Sequence, residues 1–154
     1  MSYKLEKPYT DEQRADFIVE YNHNQSLLIE ETDNALYALE PNEIMVDGEP
    51  TINPNYEKEQ VQKERERIAR LNLTGADVER GIYKAKGMDF NDILTYVTQL
   101  QPEGLDIKAL GIELKANNFY RGNPYVDAVG SLLGFTSEQL DKFFETNDYT
   151  NLLA

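Results

Sequence analysis

Asn123-Pro124-Tyr125-Val126-Asp127-Ala128-Val129-Gly130-Ser131-Leu132-Leu133-Gly134 is the stretch that sets the expected fold. It reads as one complete helix. Asn123 is an N-cap residue, and the proline after it suits the first helical position, where its missing N–H costs nothing. Tyr125, Val129, Leu132 and Leu133 fall on one face, and Gly134 supplies the stop. Working outward, Thr136-Ser137-Glu138-Gln139 has the form of a capping box ahead of Leu140, Phe143 and Phe144. On the other side, Asp106 starts a helix carrying Ile107, Leu110 and Leu114. Before it, Asp89 caps a run in which Phe90, Ile93, Leu94, Val97 and Leu100 keep a spacing of three to four, up to the break at Pro102 and Gly104. Thr74 caps a further helix that runs through Lys86 and ends at Gly87. Well-punctuated helices joined by short loops predict a C-terminal helical bundle over residues 73–154.

Upstream the pattern changes. From Glu57 to Leu71 the chain is charged and lacks Gly and Pro, and Val61, Ile68 and Leu71 give it only a thin apolar seam. Glu59 with Lys63 and Glu66 with Arg70 are i,i+4 pairs in the favourable orientation, so residues 55–72 read as a polar connector helix. Residues 1–54 read as a small α+β region. Thr10 and Gln13 form a capping box for a short helix with Phe17, Ile18 and Tyr21 on one face, ending at Asn22-His23-Asn24. Ser26–Ile29, Ala35–Leu39 and Glu43–Val46 are strand candidates, the last closed by the turn pair Asp47-Gly48. The expected fold is therefore mainly α: a helical bundle, a polar joining helix and a short helix with a two- or three-stranded meander.

Composition narrows the functional classes. Among 154 residues, 40% are hydrophobic and 28% charged, with ten Tyr and six Phe, which is enough apolar and aromatic material for a core. The net charge of -13 is uneven. Residues 1–60 hold 14 acidic against 4 basic side chains, so most of the negative field sits there. Such a field repels phosphates, and direct nucleic-acid binding is not expected. A helix-turn-helix outline at Leu73–Val97 meets the same objection, because its second helix opens with Asp89, Asn91 and Asp92. No apolar stretch approaches the roughly 18 residues of a membrane span, and Met1–Leu5 does not begin a signal peptide. The chain has no cysteine, which removes disulfides, thiol nucleophiles and thiolate metal sites.

Catalytic chemistry finds no foothold in the motifs. His23 is the single histidine, so a Ser-His-Asp set or a two-histidine metal site is not expected within one chain. Asp89-Phe90-Asn91-Asp92 fails the alternation of a calcium loop at Ile93, and capping explains its acids. Lys84-Ala85-Lys86-Gly87 is a helix end rather than a phosphate loop. No enzyme activity and no cofactor are expected. One segment invites a partner: Asn117–Tyr125 places Phe119, Tyr120, Arg121 and Tyr125 in one interhelical turn, and Tyr and Arg are enriched at binding hot spots. The structural alternative is that Phe119 and Tyr120 cover the end of the bundle.

Lys7-Pro8-Tyr9-Thr10-Asp11, Ala35-Leu36-Tyr37-Ala38-Leu39-Glu40, Val46-Asp47-Gly48-Glu49-Pro50 and Asn53-Pro54-Asn55-Tyr56-Glu57 occur in this order, followed by the Glu-Lys-Arg helix. This layout resembles small, uncharacterised accessory proteins of phages and prophages from Gram-positive and gut bacteria, encoded near tail-fibre and lysis genes. Asn72–Val78, Phe119–Asn123 and Phe143–Tyr149 resemble the same group. The resemblance covers most of the chain and brings no catalytic residues. It implies a phage origin and a non-enzymatic role in tail or fibre assembly, with virion proteins as partners. The setting it implies is the cytoplasm of the infected or lysogenic host, or the virion itself.

The plain reading of the acidic charge is solubility, and a second expectation comes from the same charge. An acidic inhibitor of a host defence nucleoprotein, anti-CRISPR-like, would use the acids of residues 1–60 to occupy a basic nucleic-acid channel.

Overall fold

The computed structural model describes residues 2–153, and the chain divides into two compact units, Met1–Gln60 and Val61–Ala154. Among the described residues there are seven α-helices and seven strands, the strands forming three small sheets. This is an α+β mix. The expected mainly-α class, with its C-terminal helical bundle and short N-terminal region, is corrected by strands that local patterning did not show.

In the first unit, β1 (Tyr3–Glu6), β2 (Leu28–Glu31) and β3 (Ala35–Leu39) form an antiparallel sheet in the order β1-β3-β2. All five residues of β3 are buried. Such a strand must be apolar on both sides, which is why Ala-Leu-Tyr-Ala-Leu shows no alternation. Leu36 and Ala38 pack with Phe17 and Leu27, while Ala35, Tyr37 and Leu39 pack with Met45 on the opposite face. Phe17 comes from α1 (Asp11–Ile18), whose Thr10–Gln13 capping box is formed in both directions. The helix continues as a π-helical turn through His23, and Tyr21 in that turn stacks on Tyr3 at 4.4 Å between ring centres.

The expected meander is also revised. Glu43–Val46 does not join the three-stranded sheet but pairs with Glu49–Ile52 as β4 and β5 of a separate hairpin. Its two-residue loop, Asp47-Gly48, has φ of 51° and 79°, the double positive value that a tight hairpin turn of matching twist demands.

Helix α2 (Tyr56–Ala69) buries none of its residues, and the division between the two units falls inside it, between Gln60 and Val61. Its ion pairing differs from the expected i,i+4 set. Arg67 forks onto Glu64 (2.8 and 3.0 Å) and reaches Glu145 with its other nitrogen (3.0 Å).

The second unit contains β6 (Asn72–Thr74) and β7 (Asn118–Tyr120), paired antiparallel with Leu73 opposite Phe119. Three residues are too few for a two-residue alternation to register, and the partners lie far apart in the chain, so this sheet is invisible to local patterning. Around it stand α3 (Gly75–Lys86), α4 (Phe90–Leu100), α5 (Ile107–Glu113), α6 (Pro124–Leu132) and α7 (Ser137–Thr146), followed by a 3-10 turn (Tyr149–Leu152). The expected caps Thr74, Asp89, Asp106, Asn123 and Thr136 each accept a backbone N–H from the following turn.

The core of this unit includes Val78, Ile93, Val97, Leu110, Phe119, Val129, Leu140, Phe143 and Phe144, with half-buried Leu94 packed against it. Leu94→Ala is expected to lower stability by about 2 kcal/mol, the low end for a leucine truncation because the side chain keeps some solvent contact. An unchanged melting temperature would remove Leu94 from the packed set.

Candidate partner-binding site

Strand β7, the turn after it and the first turn of α6 contain the four residues that the sequence singles out. The strand's alternation sends successive side chains to opposite sides. Phe119 and Arg121 turn inward, each 5% exposed, and Tyr120 between them is 56% exposed. Phe119 meets Phe90 edge-on at 5.7 Å between ring centres. Tyr125, in the first turn of α6, is half-buried and lines the core. The expected cluster is therefore divided: Phe119 and Arg121 build the fold, and Tyr120 is the residue left facing solvent.

Arg121 is held on three sides. Its Nε donates to Asp141 Oδ1 (2.7 Å), one terminal nitrogen to Asp127 Oδ1 (2.9 Å), and the other to the Ser137 hydroxyl (2.9 Å). A planar guanidinium suits this task because its fork meets several acceptors at fixed angles. The backbone is pinned as well. The Arg121 amide donates to the Leu71 carbonyl (2.8 Å) and the Gly122 amide to the Ala69 carbonyl (3.1 Å). Position 122 must lack a side chain, since a Cβ there would lie 2.9 Å from the Ala69 Cβ. Asn123 then caps α6 and donates through Nδ2 to Glu113 (3.1 Å).

Two hollows lie in the same unit. The core borders an apolar pocket of about 50 Å³, lined by Val129, Leu133, Phe143 and Phe144 among others. A more open depression of about 120 Å³ lies between Asp77, Arg80, Lys84, Asn147 and Tyr149. Its charges are already occupied: Arg80 pairs with Asp77 (2.9 Å) and the Lys84 ammonium sits 5.4 Å over the Tyr149 ring. The Thr74 hydroxyl, with help from Arg80 and Asn147, holds the Asp77 carboxyl below the usual range.

No family model, curated protein or solved structure matches this chain. The residues themselves carry the functional reading. His23 is exposed in the π-helical turn. Asp89 and Asp92 serve one another's backbone amides as a reciprocal cap at 2.8 and 3.0 Å. Among the described residues, no three His, Asp or Glu side chains are grouped to hold a metal ion, and no helix is long and apolar enough to cross a membrane.

In the first unit, twelve of the fourteen acidic side chains are exposed, and Glu40 and Glu43 are half-buried. One of the exposed acids has a structural task that sequence reasoning missed. Glu31 accepts the Tyr9 hydroxyl and pairs with Arg14 at 3.4 Å, joining the start of the chain to β2. Its partners are distant in sequence, so no local signal marks it. The Tyr9 hydrogen bond, followed by Arg14, lowers the Glu31 pKa, and the same bond raises that of Tyr9.

The signs set a pH window. A depressed carboxylate stabilises the fold above its unfolded pKa and loses that contribution as pH falls through the folded value. A raised phenol contributes below its unfolded pKa and loses it as pH rises through the folded one. Tyr9→Phe is therefore expected to lower the melting temperature at neutral pH, with the difference from wild type vanishing at acid pH and again at strongly alkaline pH. A difference independent of pH would assign the loss to packing instead.

Proposed function

We propose that this chain is a non-enzymatic phage or prophage accessory protein that acts through protein–protein contacts in tail or fibre assembly. The observation that carries the reading is the setting of Tyr120. Phe119 below it, the Arg121 ion pairs and the β6–β7 ladder fix its backbone, so little conformational freedom is lost when a partner covers the ring. A large amphipathic side chain on a rigid base has the properties of a binding hot spot. The resemblance to small accessory proteins encoded beside tail-fibre genes supplies the class of partner.

Tagged protein recovered from phage-producing cells tests this reading. Tyr120→Ala is expected to reduce capture of a tail or fibre protein about thirtyfold, the equivalent of about 2 kcal/mol at a hot spot, with the melting temperature unchanged. Equal capture by the variant would contradict the reading. Arg121→Ala is unsuited to this test, because it removes a buried ion-paired side chain.

The exposed acids of the first unit favour a second reading, inhibition of a basic host defence protein. There, charge reversal at Glu12, Glu30 and Asp33 would abolish capture of a nucleoprotein, and binding would weaken steeply with salt. Glu31 is left out of that set because it holds Tyr9 and Arg14.

A further inference from the structure

The three-stranded sheet of the first unit has two outer strands, since among the described residues β1 and β2 each pair with β3 alone. Beyond the end of β2, the Thr32 amide donates to the Ala35 carbonyl (2.8 Å), which sets the alternation along the pair. Leu28 stands opposite Leu39 and Glu30 opposite Tyr37. These two therefore exchange main-chain bonds with β3, and the N–H and C=O groups of Ile29 and Glu31 face away from the sheet. The preceding outward position is already used. The Leu27 amide donates to the Tyr21 carbonyl (2.8 Å), and its carbonyl accepts from Asn22 Nδ2 (2.8 Å). The open edge is thus short and bounded, offering the amides and carbonyls of Ile29 and Glu31.

Leu28 and Glu30 flank this edge on one face of the strand, and Leu28 is 60% exposed. Outward-pointing backbone groups beside an exposed leucine form a template for strand addition. The carboxylate of Glu30 then selects the occupant, since that of Glu31 is already held by Tyr9, Arg14 and Lys7. A second copy's β2 would bring acids against acids, which is unfavourable across strands. The other outer strand lacks this bias, because Lys4 and Glu6 on β1 neutralise each other at 3.1 Å.

We infer that the β2 edge accepts an extended basic segment of a partner protein as an added strand, with alternating apolar and Lys or Arg side chains. The apolar residue lies beside Leu28 and the cation beside Glu30. This surface belongs to the first unit and is independent of Tyr120, so its test does not decide the assembly reading.

The probe is a short blocked peptide of alternating valine and lysine, titrated into the isotope-labelled full chain and followed by amide hydrogen exchange. Exchange at Ile29 and Glu31 is expected to slow at least about tenfold at saturation. Glu30→Lys is expected to weaken binding about tenfold, and Asp16→Lys, on the exposed face of α1, by less than about twofold. Equal weakening by both variants would mean diffuse charge attraction and would overturn the proposal. So would peptide binding without protection at Ile29 and Glu31, or protection that grows with protein concentration in the absence of peptide, which would give the edge to a second copy.

Discussion

Arg121→Ala is expected to destabilise the Val61–Ala154 unit by about 3 kcal/mol, because removing one member of a buried ion pair costs about 3–5 kcal/mol. The value belongs at the low end of that range. The guanidinium is 6% exposed, but the carboxylates it serves are 59% exposed at Asp127 and 32% at Asp141, so water can rehydrate them when the arginine is gone. What remains is the loss of charge-assisted bonds and of the packed alkyl stem. Arg121→Lys should recover less than half of the loss, since an ammonium on a flexible stem cannot reproduce the fork toward Asp141, Asp127 and Ser137. A urea titration followed by circular dichroism measures both. Tyr120→Ala serves as the surface control, with a change within about 0.5 kcal/mol. A cost below about 1 kcal/mol for Arg121→Ala would separate Arg121 from the fold and return it to the partner-binding set.

Phe143→Ala should be costlier still, about 3–5 kcal/mol. The ring is 1% exposed and already borders the apolar pocket of about 50 Å³, so truncation would enlarge an existing hollow. It also lies directly over Gly81 in α3, where a Cβ would fall 2.4 Å from the ring's Cζ. That contact reverses the ordinary rule for helices. Alanine normally gains about 1 kcal/mol over glycine in a helix interior. Here Gly81→Ala must displace a buried ring and should cost about 1–3 kcal/mol. In the Phe143→Ala background the obstruction is gone, and Gly81→Ala should turn neutral or stabilising. The double-mutant cycle reads this change of sign directly. Additive effects of the two substitutions would contradict the close packing of α3 against α7.

These two sites mark the boundary of what the sequence makes legible. Capping is local, because Thr10, Asp89, Asn123 and Thr136 bond to amides two or three residues on, and the residue types alone predict it. The central strand is legible as an apolar run, and Asp47-Gly48 as a hairpin turn. Strand β1 is harder to see, since four residues of alternating character acquire meaning only when β3 lies beside them. The same holds for β6 and β7, and missing them led to the expectation of a helical bundle.

At the candidate site the attraction of Tyr and Arg to interfaces was the visible signal. The carboxylates that claim Arg121 lie on α6 and on α7, and only the folded chain brings them together. Residue type marked the segment, and the alternation of a strand too short to recognise decided which side chain faces out.

In the proposed assembly role, Tyr120 meets a structural protein of the phage particle. The most direct measurement replaces Tyr120 with a photo-crosslinking phenylalanine analogue, in phage-producing cells, and identifies the adduct by mass spectrometry. A crosslink to a tail or fibre component at position 120, absent when the analogue stands at exposed Glu12, is the predicted result. No adduct at 120, together with a crosslink from position 12 to a host nucleoprotein, would contradict that role.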